Sequence, residues 1–212
     1  MLFRKASVFL YATFHTQTVV TNLRNRMAIN QFITYILPKK AIEMKFGEIP
    51  NQLEIKHSEW EKFWEKSTES DNEDLEPEFE DARTTNWWEE IEVNVAELKK
   101  QIDKIITRAS WTDDTIWKSE KAEFDHDVSL GLNKTNEFID EFMFRTDLTD
   151  TTLNFLNSML DICKENDWIL MDRNGNLCKP NISDLAQLIK GSDADRFLRN
   201  PSKFFDELSN KK

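Results

Sequence analysis

The chain has 212 residues, 39% of them hydrophobic and 32% charged, with 28 basic and 39 acidic side chains and a formal net charge of −11. That length and composition fit one ordinary globular domain, with room for a small second unit. A surface this acidic repels nucleic acid and anionic membranes and attracts cationic partners, so both of the former are excluded as partners of the acidic body.

The charge is unevenly spread. Residues 1–42 hold no Asp or Glu and carry Arg4, Lys5, Arg24, Arg26, Lys39 and Lys40; the other 170 residues carry a formal −17. The break defines a basic leader over 1–43, read as disordered or as an over-extended start, since Met44 opens a compositionally uniform acidic chain. Ordinary N-terminal helices and a targeting segment are the alternatives. The uncharged stretch 6–23 is interrupted by Thr, Gln, His and Asn, and falls short of the ~20 predominantly apolar residues of a membrane span.

Residues 44–82 are expected to form a short helix and an acidic linker. Ser58 and Glu61 have capping-box spacing, and Trp60, Phe63 and Trp64 share one helical face. Residues 67–82 hold eight acidic side chains and no basic one, the pattern of a solvated linker. An α+β globular domain then occupies 83–212. Trp88, Ile91, Val95, Leu98, Ile102 and Ile105 recur with a period near 3.5, which predicts a helix over 86–108. Its seam packs either on the chain's own sheet or on a second copy.

Residues 123–132 alternate. Phe124, His126, Val128, Leu130 and Leu132 fall on one face of a strand, and Glu123, Asp125, Asp127 and Ser129 on the other. A second strand from Phe138 to Leu148 completes a hairpin, with Phe138, Phe142 and Phe144 facing the core. A helix follows, carrying Leu153, Leu156, Met159, Leu160 and Cys163 on one side. A further hairpin pairs 168–171 with 177–178 around Asn174-Gly175. Ser183 caps a helix that Gly191 ends, and Asn200-Pro201 opens the last one. The fold class is α+β: antiparallel β-hairpins, able to join in one sheet, packed against several α-helices.

No cofactor motif is legible: there is no Gly-rich phosphate loop, no nucleophile elbow and no zinc spacing. Cys163 and Cys178 are too few for a disulfide scaffold and read as buried free thiols, which fits a reducing, cytoplasmic setting. Asn133-Lys134-Thr135 and Asn181-Ile182-Ser183 match the glycosylation sequon, which matters only in a secreted chain. Glu123, Asp125 and Asp127 project from one strand face about 7 Å apart. With Trp111 and Trp117 as aromatic anchors they are the expected contact surface for a basic protein. The leading functional expectation is therefore a non-enzymatic, immunity- or inhibitor-like binding module acting by steric occlusion and electrostatic steering. A metal-dependent hydrolase using the same carboxylates, helped by Asp140, Glu141 or Asp147, is one alternative. A structural protein self-associating through the 88–105 seam is the other.

Overall fold

The computed structural model describes residues 30–69, 75–111, 115–119, 123–135 and 137–203. The leader charges Arg4, Lys5, Arg24 and Arg26, the middle of the acidic run, and Phe204, Phe205 and Leu208 of the expected last helix lie outside those residues. One six-stranded antiparallel sheet organises the rest. Its strands are β1 (Gln31–Pro38), β2 (Ile116–Lys118), β3 (Asp127–Leu132), β4 (Ile139–Asp147), β5 (Trp168–Met171) and β6 (Leu177–Cys178). The spatial order is β2-β3-β4-β1-β5-β6. The α+β expectation is met, and the two hairpins belong to one sheet.

β1 joins them. It pairs with β4 from Gln31↔Asp147 to Tyr35↔Met143, and with β5 from Tyr35↔Met171 to Pro38↔Trp168. A strand between two neighbours and covered on both faces reads as an uncharged, mostly apolar run, and QFITYILP is one, with Gln31 and Thr34 as its buried polar residues. Charges are absent there because burying one without a partner costs several kcal/mol. The leader boundary at residue 43 is therefore corrected. It falls inside α1 (Lys39–Phe46), and the chain from Gln31 onward is core structure. The basic, acid-free composition of 31–42 combines a central strand with the exposed start of a helix.

Both sheet edges are short and covered, which removes them as sites for strand addition. Beyond β2, the Ala109 N–H donates to the Ile116 carbonyl and the Lys118 N–H to the Thr107 carbonyl. Beyond β6, the Leu177 N–H donates to the Asn51 carbonyl and the Leu53 N–H to the Gly175 carbonyl. Gly175 sits at φ 86°, and a Cβ there would lie 2.1 Å from the Leu53 carbonyl oxygen, so the tight approach needs glycine.

The β3–β4 hairpin contains a bulge. Gly131 pairs with Glu141, but Leu132 pairs with Ile139, leaving Asp140 as the extra residue. The bulge shifts the alternation by one position. Ile139 is buried and Phe138 is 48% exposed, the reverse of the simple alternation.

The remaining helices are α2 (His57–Glu69), α3 (Val95–Asp103), α4 (Asn154–Glu165), α5 (Ile182–Ile189) and α6 (Asp193–Arg199). α3 is shorter than the predicted 86–108. Asn94 accepts from the Glu97 N–H and starts the helix there. Trp87 and Trp88 precede it in a loop, where the Trp87 indole donates to the Ala82 carbonyl and the Trp88 N–H to Asn86. Trp88, Val95, Leu98 and Ile102 are buried in the chain's own core, which leaves none of them for self-association. α5 is capped by Asn181 rather than Ser183, and α6, capped by Ser192, has no counterpart in the sequence expectation. Among the described residues no helix is long and apolar enough to cross a membrane.

Candidate functional site

The five expected contact residues do not form one surface. Glu123 is exposed and Trp111 is 62% exposed, but Trp117 is fully buried, its indole donating to Asp103 at 2.7 Å. Asp127 is buried as well, held by the Arg145 guanidinium at 2.6 Å and by Lys118 at 3.6 Å. Lys118 also pairs with Asp125. The face read as wet is thus an internal ion-pair network, whose cations Lys118 and Arg145 sit on the neighbouring strands. Among the described residues no three His, Cys, Asp or Glu side chains form a group able to hold a metal ion.

His126 is part of a second closed network. The Asp147 N–H donates to its Nδ1 at 3.1 Å, which leaves Nε2 to carry the proton and donate to Asp150 at 3.2 Å. Phe155 stacks on the ring with centroids 4.3 Å apart. Asp147 takes further bonds from the Asp125 N–H and from Thr149, and Asp150 from Thr152. Burial pushes both carboxyls up, but these hydrogen bonds outweigh it and hold them below the ordinary aspartate value. The network pins the start of α4 to β3 and β4. Cys163 and Cys178 are free thiols. Burial pushes the Cys163 thiol up, and burial with nearby Asp184 and Asp172 pushes Cys178 to about 12, which disfavours the thiolate at both.

A concave region lies elsewhere, between α2 and the sheet. Leu75, Pro77 and Phe79 are half-buried while Glu76, Glu78 and Glu80 are exposed, a period-two alternation in an extended strap. The strap is anchored by Asp81. Its carboxylate accepts from the Lys56 N–H at 3.0 Å, the Trp60 indole at 2.7 Å, the Arg83 N–H at 2.8 Å and the Thr84 N–H at 3.2 Å. Asp81 and Ala82 are buried, so the acidic linker expected to end at 82 is packed structure at its C-terminal end.

Strap and helix enclose a cavity of about 170 Å³ over the sheet. Trp60, Phe63 and Trp64 come from α2, Trp87 and Trp88 from the loop, and Tyr35, Phe142 and Met171 from the strands. Glu76, Asp140 and Glu141 also line it. Asp140, the extra residue of the bulge, and its neighbour Glu141 both belong to this lining, and Asp140 Oδ1 accepts from the Asn86 amide at 3.4 Å. No protein family, curated protein or solved structure matches this chain.

The aromatic wall already holds two of the chain's own cations. Arg83 lies over the Trp60 ring at 5.5 Å and Lys45 over Trp87 at 5.0 Å. Phe46 also packs against Trp87, with centroids 6.3 Å apart. Phe46 and its neighbour Met44 are half exposed, so apolar surface continues outward from that wall. A wider cleft of about 840 Å³ shares Trp60, Trp64 and Arg83 with the cavity, and adds Arg173, Lys190 and Arg196. The sequence reading passes over this site because it takes 67–82 as linker and seeks its aromatic anchors at Trp111 and Trp117. The Leu75-Glu-Pro-Glu-Phe79 alternation is the signal that marks the strap.

Proposed function

We propose that this protein is a non-enzymatic binding module that engages a basic protein partner through the aromatic cavity and its acidic rim, and inhibits it by occlusion. The observation that carries this reading is the conjunction of Glu76, Asp140 and Glu141 with an aromatic wall, in a chain of net charge −11. Aromatic pockets supply the desolvated centre on which interface hot spots are built. The carboxylates and the overall field steer a cationic partner and accelerate encounter at low salt. Half-exposed Met44 and Phe46 offer apolar area beside the pocket for the rest of the contact. This surface replaces the Glu123–Asp127 strand face, because Asp127 and Trp117 are buried.

The test is affinity capture from the native host with the full chain, run beside the triple variant Glu76→Gln/Asp140→Asn/Glu141→Gln. The expected result is a basic protein retained by the wild type at low salt, released at high salt and not retained by the variant. A partner held equally by both proteins would overturn this placement.

A further inference from the structure

We infer that the cavity is a socket for a single lysine or arginine side chain of the partner, its methylenes against the aromatic wall and its charged head at Asp140 and Glu141. This rests on the reading of the cavity as the partner-binding site. Size sets the first limit. A cavity of about 170 Å³ is close to the ~150 Å³ engineered cavity that admits benzene, so it matches one side chain in size. The polarity of the lining sets the second. Phe63, Trp64 and Phe142 suit an alkyl stem, while Asp140 and Glu141, at the bulge, belong to the same lining.

Charge sets the orientation. The cavity's own lining carries three acidic residues, Glu76, Asp140 and Glu141, against one basic residue, Arg83, which lies over the Trp60 ring. A positive head is repelled by Arg83 and drawn to the acidic residues from β4. The chain's own Lys45 and Arg83 show that these indole faces accept cations at 5.0 and 5.5 Å.

Saturation-transfer NMR and tryptophan fluorescence on the full chain test this, with n-butylguanidinium, n-butylammonium and the neutral 1-butanol as probes. The two cations are expected to bind about fivefold or more tighter than the alcohol. That preference should vanish in Asp140→Asn/Glu141→Gln, with thermal unfolding unchanged as the folding control. Equal binding of alcohol and cations, absence of cation binding, or an undiminished preference in the variant would each overturn the socket. If Asp140→Asn/Glu141→Gln misfolds, Glu141→Gln alone serves, with a reduced preference expected and an unchanged one contrary. Failure here, alongside partner capture that still depends on the rim carboxylates, would dismiss the socket and leave the binding function standing.

Discussion

Asp81 carries more structure than any other single side chain of the strap. It satisfies three backbone N–H groups and the Trp60 indole, tying α2 to the loop that closes the cavity. Buried donors left without an acceptor cost about 1–3 kcal/mol each. Asp81→Ala is therefore expected to lower stability by about 3 kcal/mol in urea unfolding, and to shift Trp60 fluorescence. A loss within 0.5 kcal/mol, the range of an ordinary surface substitution, would contradict that role. Glycines offer an internal comparison at the same scale. Gly175 and Gly191 both have φ above 80°, but an added Cβ meets the Leu53 carbonyl at Gly175 and nothing within 4 Å at Gly191. Gly191→Ala should cost about 1 kcal/mol for the left-handed backbone alone. Gly175→Ala should cost clearly more, because the 51–53 segment must move. Equal midpoints for the two variants would contradict the steric reading.

Among the elements, β1 decides whether the sheet exists. Among the described residues it is the only strand bridging the β2-β3-β4 half and the β5-β6 half. A chain started at Met44 lacks it, and is expected to show no cooperative thermal transition and to bind a hydrophobic dye. Ile36→Ala, at a fully buried position in β1, should cost about 2–4 kcal/mol in the full chain. A cooperative transition in the shortened chain would refute the central role of β1. Much of the sheet was legible, because the alternation in 124–132 and the Asn174-Gly175 turn are local signals. β1 was not, since a strand buried on both faces has no alternation and its lack of charge resembled a leader. The Asp140 bulge was hidden for a related reason: one inserted residue inverts the pattern downstream without any marker of its own. α3 was over-extended because Trp88 and Ile91 pack inward from a loop at a spacing that mimics a helix. At the site, the strand carboxylates were visible but their partners Lys118 and Arg145 were not paired with them. Those contacts cross between strands, and only the register reveals them.

For the whole molecule, the carboxylates set the response to acid. Asp103 is held below its ordinary value by Arg108, with burial opposing and Trp117 assisting. The Gly191 N–H and then Arg199 do the same for Asp195. Asp147 and Asp150 are lowered by hydrogen bonds that outweigh burial. A carboxyl whose folded value is depressed binds fewer protons folded than unfolded. Its contribution is complete above the unfolded aspartate value near 3.9 and is lost as pH falls through the folded value. Stability is therefore expected to fall steeply below about pH 4, and Asp147→Asn should flatten that fall in urea midpoints measured across pH. A slope as steep as that of the wild type would contradict the role of the His126 network.

We propose that the same acidic field steers the partner. Recognition is assigned to the side formed by α2, the strap and the β4 bulge, and away from the β3 strand face. Hydrogen exchange of the full chain, free and bound to the captured partner, tests that most directly. Protection concentrated in 57–66, 76–88 and 139–142 is predicted. Protection confined to 123–127 and the start of α4, with the cavity segments unchanged, would contradict it.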